Sequence, residues 1–473
     1  MKLTFWGAAK QVTGSAFLLE LEDDYRVLID CGLDMGNMKE DMPLYAGSSF
    51  PFDPSMVNLV LLTHAHLDHS GKIPLLYNEG FEGQVLCTSP TLALAEILLL
   101  DSANINMKKK KAYQKEKSRG GNLKRFTFNP DDLYSPKDVK NAIDRFVPIQ
   151  FKRRFNVKEG LDITFIPTGH LLGAANIYLH ITENGEEKTI LFSGDIGRKN
   201  YPLLQDPEEA PQADYLVCET TYGNRYHSSI SDSSVELIRV IKETCVDKTG
   251  RLIIPAFSIG RTQAVLYTLH QLYANNELPP IKIFADSPLA LKSNNIYENY
   301  SHFLNVEAQE FKKEFGSLFD FDHMHYVHDT KDSKAISNYN EPCIIISSSG
   351  MIEGGRIQHH IRANIENPYS TIMMVGFSAE GTLGAKLLNK EESLKFDGRE
   401  VPVLAKIEHT DSFSGHGDLN DLLYFVEQQD QQKLKQVFLV HGEEESMNDF
   451  KGSLEEKGYG NIMIPTKGDT VTL

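Results

Sequence analysis

Three histidines and an aspartate stand within six residues of one another in the segment 63–71, which reads THAHLDHSG. The apolar run Leu59–Leu62 precedes them, and the four residues are His64, His66, Asp68 and His69. A buried strand that ends in a polar loop can bring all four side chains into one cavity at its edge. Neutral imidazoles with a carboxylate are ligands that a borderline divalent metal such as zinc accepts. The spacing therefore predicts a metal site, and the alternative is a solvated polar loop.

Other metal-capable side chains stand singly where a predicted strand ends. His170 follows the strand Asp162–Pro167, and Asp195 follows the strand Lys188–Phe192. Alone, each would be a surface histidine or a turn residue, but an open zinc site beside HxHxDH needs further ligands. Asp30 ends the strand Arg26–Asp30, where it either caps a turn or orients the metal-binding loop. Three more such residues follow later in the chain: Glu219, His416 and His441.

Charge is unevenly distributed along the 473 residues. The chain has a net charge of -17, whereas segment 108–125 holds nine lysines and arginines against one acid, Glu116. That segment has a local charge of +8, so the rest of the chain carries -25. The segment is either a solvated helix face or a nucleic-acid contact. Composition alone does not decide between the two.

Cysteine usage and hydropathy indicate the compartment. Five cysteines are scattered and never form a CxxC pair, so they are typical of buried thiols in a reducing compartment. The longest apolar stretch is too short to cross a bilayer, and the first residues do not resemble a secretory signal. We therefore expect a cytoplasmic protein with no membrane partner.

The pattern of elements divides the chain. Short strands open it, a helix is predicted over Pro90–Ile105, and strands alternate with helices from Asp214 onward, which indicates parallel α/β units. Strands are also expected over Thr371–Phe377 and Val401–Ile407.

Small residues at predicted strand-to-helix junctions are candidates for binding phosphate, because backbone N–H groups can approach an anion there. A helix is expected to begin near Glu353, just after the first junction. Each junction could equally be a tight turn, and Arg261 could clamp a phosphate or pair with a carboxylate. The candidates are Ser348, Ser349, Gly350, Arg261, Gly381 and Thr382.

Taken together, these motifs resemble the β-CASP branch of the metallo-β-lactamase fold, a family of nucleic-acid-processing hydrolases related to the endonuclease subunit of pre-mRNA cleavage and polyadenylation. The segments that carry the resemblance are LIDCG, HAHLDHSG, TGHLLGAA, FSGDIGR, CETTYGNR, ISSSGM, GFSAEGTLG, FSGHGD and VHGE. The resemblance implies an α/β fold in which an αββα sandwich holds an inserted α/β domain. The expected boundaries are 1–209 and 396–473 for the metallo-β-lactamase domain and 210–395 for the β-CASP insertion, with RNA held in a cleft between them.

The resemblance also implies the roles of the site residues. One zinc ion would be held by His64, His66 and His170, a second by Asp68, His69 and His441, and Asp195 would bridge the two ions. Two such ions can share a hydroxide that attacks phosphorus near neutral pH. His416 would contact the scissile phosphate as general acid, with Glu219 holding it, or would bind phosphate without transferring a proton.

The expected function is therefore that of a zinc-dependent ribonuclease that cuts single-stranded RNA internally, with 5′-to-3′ trimming left open. It would act as a homodimer or within an RNA-processing complex. Alternatives are an inactive RNA-binding scaffold subunit, a DNA-directed nuclease of the same family, and a small-molecule hydrolase. We expect no additional RNA-binding domain at either end, so RNA affinity should come from the cleft, the basic segment or a partner.

Overall fold

The computed structural model describes residues 1–34, 45, 48–126, 128–227, 230–376, 378, 381–396 and 398–473, without the side chains of 230–233. The chain divides into two units. Unit 1 comprises residues 1–199, 206–226 and 416–473, and unit 2 comprises residues 200–205 and 227–415. Within the described residues, every helix is too short or too polar to cross a membrane.

The strands are short and are numbered in the order in which they occur along the chain. Their bounds are β1 Lys2–Phe5, β2 Phe17–Glu20, β3 Arg26–Ile29, β4 Leu59–Leu61, β5 Gln84–Cys87, β6 Phe146–Pro148, β7 Phe155–Lys158, β8 Leu161–Pro167, β9 Ala175–Glu183, β10 Glu186–Phe192, β11 Tyr215–Glu219, β12 Arg251–Pro255, β13 Lys282–Asp286, β14 Met324–Tyr326, β15 Cys343–Ser347, β16 Thr371–Met374, β17 Ser393–Phe396, β18 Arg399–Pro402, β19 Lys406–His409, β20 Gln436–Val440, β21 Ile462–Met463 and β22 Thr470–Thr472.

The α-helices alternate with these strands, and most are two to four turns long. Their bounds are α1 Leu67–Ser70, α2 Ile73–Asn78, α3 Ser89–Ser118, α4 Pro136–Ile143, α5 Ile230–Ile241, α6 Arg261–Ala274, α7 Pro288–Asn299, α8 Val306–Phe315, α9 Thr330–Ile336, α10 Ile357–Asn364, α11 Leu383–Leu388, α12 Leu419–Glu427 and α13 Glu444–Glu456.

Unit 1 is a sandwich of two seven-stranded sheets. The first has the order β22-β1-β2-β3-β4-β5-β6 and the second β21-β20-β11-β10-β9-β8-β7. The main core lies between the sheets, where Phe17 stacks on Phe192 and Phe5 packs on Phe438, with ring centroids 6.2 and 5.2 Å apart. Helices α12 and α13 pack their apolar faces on the second sheet. The αββα architecture expected from the sequence is confirmed.

Unit 2 is built on a six-stranded sheet with the order β14-β13-β15-β12-β16-β19, and every pair in it is parallel. Its central strand β15 reads CIIIS and is buried along its whole length, as expected where helices cover both faces of a sheet. The carboxyl ends of these strands therefore meet at one edge. The parallel α/β arrangement predicted from Asp214 onward is confirmed for this sheet.

Two predicted elements were wrong in extent. Helix α3 does not end at Ile105 but continues to Ser118, through the first part of the basic segment. The single strand predicted over Val401–Ile407 is two strands in different sheets, β18 and β19. The structure also adds β9, which the sequence analysis does not predict and which pairs along its length with β8 and β10. Phe377, at the end of another predicted strand, lies outside the described residues.

Candidate active site

The metal-capable side chains of unit 1 follow strand ends, where the backbone turns sharply. Asp30 follows β3 with φ +58°, and His441 follows β20 with φ +50°. This left-handed region is costly for residues other than glycine and is found mainly where surrounding structure enforces it. Gly194, next to Asp195, has φ +55°, and a Cβ there would lie 2.9 Å from the Cβ of Thr63. These turns therefore place Asp30, Asp195 and His441 just beyond the ends of β3, β10 and β20.

Two of the ligands predicted in the HxHxDH segment lie on a helix. His66 stands at the residue before helix α1, whereas Asp68 and His69 lie within the helix. Asp68 and His69 therefore project from successive positions of a single helical turn. His69 is buried and Asp68 is partly exposed. Helix α1 thus presents two neighbouring residues to the same cluster as His64, which precedes it.

A first group of nitrogen and oxygen atoms surrounds one point. The Nδ1 atom of His66 lies 3.2 Å from the Nε2 atoms of both His64 and His170. The Oδ2 atom of Asp195 lies 3.4 Å from those same two Nε2 atoms. The four side chains thus point four ligand atoms at one volume.

A second group lies on the other side of Asp195. The Nε2 atoms of His69 and His441 are 3.2 Å apart, and Oδ2 of Asp68 lies 3.5 Å from the latter. The Oδ1 atom of Asp195 lies 3.2 Å from Nε2 of His69 and 3.7 Å from Nε2 of His441. The two carboxylate oxygens of Asp195 therefore face two different groups of ligand atoms.

The spacing of these atoms fits metal ions. Tetrahedral ligands at about 2.0–2.2 Å from zinc lie roughly 3.3–3.6 Å from one another, close to the separations in both groups. Among the residues that the structure describes, none donates a hydrogen bond to the buried Oδ1 atom of Asp195. A buried carboxylate oxygen without a hydrogen bond is costly, and a cation beside it lowers that cost. The residues present therefore fit bound metal.

Protonation favours the same conclusion for the first group. Burial lowers the pKa of His64 to about 3 and the pKa of His66 to about 4. Burial also places the pKa of His170 well below its ordinary value. Near neutral pH these imidazoles are uncharged, and an uncharged ring keeps a lone pair that a metal can take.

The second group is shaped by opposite charges. Burial would raise the pKa of Asp68, but the hydrogen bond with His441 and the charge of His69 hold it well below its ordinary value. Burial would lower the pKa of His69, but Asp195 and Asp30 raise it well above that of a free histidine. The carboxylates thus hold a positive charge at this position, which is what a bound cation also provides.

Outer partners fix the orientation of the rings. Asp30 is buried and lies 2.7 Å from Nδ1 of His69, and it also accepts the N–H of Thr63 at 2.8 Å. A carboxylate on one ring nitrogen orients the ring and leaves the other nitrogen for a metal. On the opposite side, the hydroxyl of Thr221 lies 3.1 Å from Nδ1 of His441. Neither Thr63 nor Thr221 was predicted as a site residue, although Thr63 directly precedes His64 and Thr221 lies within the segment CETTYGNR.

His416 and Glu219 form a pair beside the first group. The Nδ1 atom of His416 lies 3.3 Å from Oε1 of Glu219, and its Nε2 atom lies 3.8 Å from Oδ2 of Asp195. Burial would lower the pKa of His416, but the Glu219 and Asp195 carboxylates more than offset this, so the pKa is raised. Glu219 also accepts the N–H of Ile196 at 2.6 Å, which ties it to the loop after Asp195.

The six phosphate candidates lie in unit 2, at the carboxyl edge of its parallel sheet. Gly384 donates its N–H to the carbonyl of Met351 at 3.0 Å, which joins the segment containing Gly381 and Thr382 to the segment 348–350. A Cβ on Gly350 would lie 3.1 Å from the ring of Phe257, and the guanidinium of Arg261 lies 4.8 Å from the same ring. The six residues are therefore neighbours.

One prediction about this edge of the sheet, the start of a helix, was wrong. The helix expected near Glu353 begins at Ile357, because Gly354 and Gly355 have φ of +79° and +76° and interrupt a helical backbone. Ala379 and Glu380, within the segment GFSAEGTLG, lie outside the described residues.

Three family models match the chain. They are described as a metallo-beta-lactamase superfamily domain over residues 18–204, a Beta-Casp domain over 262–387, and a Zn-dependent metallo-hydrolase RNA specificity domain over 400–465. The matches follow one another along the chain and together span most of it.

Curated relatives agree over nearly the full length. Ribonuclease TTHA0252 of Thermus thermophilus is 32% identical over 447 residues, which is 94% of each chain. Transcription termination factor FttA of Methanosarcina mazei is 28% identical and covers 100% of this chain and 72% of its own. An RNase J-like protein of Methanocaldococcus jannaschii is 27% identical, and the match covers 98% of this chain and 97% of that protein. The chain therefore belongs to the β-CASP family of metallo-β-lactamase-fold nucleases and is a metal-dependent hydrolase.

Proposed function

We propose that this protein is a zinc-dependent ribonuclease that cuts single-stranded RNA internally, with 5′-to-3′ trimming as an additional activity. The observation that carries the proposal is the Asp195 carboxylate, whose two oxygens face two separate groups of histidine and aspartate ligands, with His416 beside them. Two zinc ions are the proposed cofactors, because imidazole and carboxylate in tetrahedral spacing suit that metal.

The proposed ligands are those that the sequence analysis named. One ion would be held by His64, His66 and His170 and the other by Asp68, His69 and His441, with Asp195 between them. When bound, such a pair supplies Lewis-acid polarisation of a phosphoryl oxygen and lowers the pKa of water. Asp30 and Thr221 hold ring nitrogens on the far side, which keeps the remaining nitrogens pointing inward.

His416 is proposed as the proton donor to the leaving oxygen. Its Nδ1 atom is occupied by Glu219, so Nε2 is the nitrogen that faces the cluster. The raised pKa keeps a larger fraction of the ring as imidazolium, the form with a proton on both nitrogens. A positioned acid of this kind typically contributes about 10²–10⁴ to the rate. Glu219 is then a positioning residue, because it acts through His416.

Support for RNA as the substrate comes from the comparisons and from unit 2. Two of the relatives are named a ribonuclease and an RNase J-like protein, and the third matched family model is described by RNA specificity. We propose that the cluster of Ser348, Ser349, Gly350, Arg261, Gly381 and Thr382 binds RNA phosphates through backbone N–H groups and the guanidinium. The domain boundaries at 210 and 395, the cytoplasmic location and a homodimeric or complexed state stay predictions.

The test is cleavage of a mixed-sequence single-stranded RNA labelled at its 5′ end, beside metal analysis of the same preparation. We expect close to two zinc ions per chain, and we expect Asp195→Ala to lose most of them. His416→Ala should keep its metal and cleave about 10²-fold more slowly or worse, whereas His302→Ala, at an exposed histidine of unit 2, should cleave normally.

Each other outcome has a meaning. A folded protein that binds no metal in the presence of zinc would end the proposal. Retained metal without cleavage of any nucleic acid would favour the inactive scaffold. Equal cleavage of the corresponding DNA strand would favour the DNA-directed nuclease. The sizes of the labelled products separate internal cuts from trimming at the 5′ end.

A further inference from the structure

Helix α3 changes character along its length. Its buried residues lie in the first 18 positions, and the last two of them are Ala103 and Asn106. From Met107 to Ser118, none of the helix residues is buried. A helix whose final three turns bury no side chain gains little from packing, so these turns project from the body of unit 1. We name residues 108–125 the basic arm.

The basic arm concentrates positive charge in a chain that is otherwise strongly negative. It carries +8, whereas the rest of the chain carries -25. Lys108, Lys111 and Lys115 are exposed and lie at i, i+3 and i+7, so they share one face of the helix, and Arg119 continues that face. In the described part of the chain, Arg125 with Glu116 is the only salt bridge that the arm forms.

Aromatic contacts hold the segment after the helix against it. Tyr113 packs on Phe126 with ring centroids 5.3 Å apart, and Phe126 packs on Phe128 at 5.5 Å. The ammonium of Lys109 lies 5.8 Å from the centroid of the Phe128 ring. The chain after Ser118 therefore folds back along α3, which keeps its positive charges beside those of the helix.

The other end of α3 contacts the loop that carries His170. Thr88, which caps the helix, and Thr91 both donate a hydroxyl to the carbonyl of Gly173, three residues after His170. A rise of 1.5 Å per residue places Lys108 about 28 Å along the axis from the start of α3, and Ser118 about 44 Å. At about 3.4 Å for each stacked nucleotide, a strand that runs along the helix axis needs roughly 8 nucleotides to reach Lys108 and roughly 13 to reach Ser118.

We propose that the basic arm binds single-stranded RNA through its phosphates at a second contact, which begins about 28 Å along α3 from the helix end that contacts Gly173. This inference rests on the proposed ribonuclease function. The positive charge of the basic arm favours a polyanion as its partner. RNA is the polyanion that the proposed ribonuclease would bind. Binding would be independent of sequence and sensitive to salt, and it would favour substrates long enough to reach both places.

The test measures RNA binding by the full chain with a chelator present, so that cleavage does not interfere. The variant K108Q/K111Q/K115Q/K117Q removes four exposed charges and keeps residues with good helix propensity. A matched control, K2Q/K137Q/K140Q/K433Q, removes four exposed charges elsewhere in unit 1. Both should show wild-type circular dichroism and thermal melting.

For a single-stranded RNA of about 20 nucleotides, we expect the arm variant to bind at least tenfold more weakly than wild type at about 0.1 M salt. The slope of log K against log salt should fall by about 0.7 for each lysine that contacts a phosphate. The control should keep most of the affinity and slope. With wild-type protein, an RNA of about six nucleotides is too short to span the distance and should bind with a smaller slope.

Two results would overturn the inference. The first is that the arm variant binds RNA with the same affinity and the same salt slope as the control. The basic arm would then contact an acidic protein, or only solvent, instead of RNA. The other is equal binding of short and long RNA by wild type. Failure of the proposed function is distinguishable, because it would show as intact RNA binding without cleavage when zinc is supplied.

Discussion

Asp30→Asn probes the orientation of a single ring nitrogen. In the structure Oδ1 of Asp30 accepts the N–H of Thr63, and Oδ2 faces Nδ1 of His69 at 2.7 Å. An asparagine of the same shape would keep its oxygen toward the Thr63 N–H, so its NH₂ group would face His69. Two donors cannot share that contact, so His69 would move its proton from Nδ1 to Nε2. That nitrogen is the one that faces Asp195 and His441.

The expected loss follows from what such carboxylates contribute elsewhere. Removing the partner of a metal-binding histidine typically weakens metal binding about 10–100-fold. That factor corresponds to about 1.4–2.7 kcal/mol of binding free energy. The second ion, which His69 would hold, should be lost first, so zinc content should fall from about two ions per chain toward one when free zinc is limiting.

The assay is competition for zinc against a chromophoric chelator, with melting and circular dichroism as checks on folding. Asp144→Asn, at an exposed residue of the same unit, is the control and should bind zinc like wild type. A folded Asp30→Asn protein that holds two zinc ions with wild-type affinity would refute the reasoning, because the proton on His69 would then not depend on Asp30.

Two further predictions concern stability. Asp286 is fully buried, and its carboxylate lies 2.7 Å from Nε2 of His360; burial would raise the pKa of Asp286, but its hydrogen bonds lower it. The stability that ionised Asp286 contributes should therefore be complete above about pH 4 and lost as the pH falls further. Asp286→Asn should lower the free energy of unfolding, measured by urea denaturation at neutral pH, by about 3 kcal/mol. An unchanged midpoint would contradict this. A Cβ on Gly32 would lie 1.7 Å from the carbonyl oxygen of Asp68, so Gly32→Ala should lower the melting temperature and release zinc. Gly452 lies inside helix α13 with open space around it, so Gly452→Ala should raise the free energy of unfolding by about 0.5–1 kcal/mol.

The candidate metal-binding side chains could be picked out because their signals are local. His64, His170, Asp195 and His441 each follow an apolar strand that is legible by itself, whereas their division between two ions came from the resemblance to the β-CASP family. Side-chain orientation is a different matter. Thr221 faces His441 because β11 lies beside β20. Thr63 faces Asp30 because β3 lies beside β4. No pattern within one segment encodes that pairing.

The errors in the elements have similar causes. The apolar stripe of α3 ends near Ala103, which suggests an early helix end, yet the following lysines, glutamine and glutamate are good helix formers and no glycine occurs before Gly120. Local propensity extends this helix without packing. In the segment predicted as one strand over Val401–Ile407, Pro402 lacks an N–H and ends β18. Such breaks are recognisable once the partner strands are known.

The assembly of the site from distant parts of the chain has a consequence for the timing of synthesis. Asp195 and His441 are 246 residues apart in sequence, and β20, which carries His441, joins its sheet beside β11. A ribosome that adds about 5–20 residues per second takes roughly 12–50 s to pass from one to the other. During that interval the emerging chain lacks His416 and His441. A newly made molecule therefore cannot complete its candidate metal site until β20 and the His441 that follows it are in place.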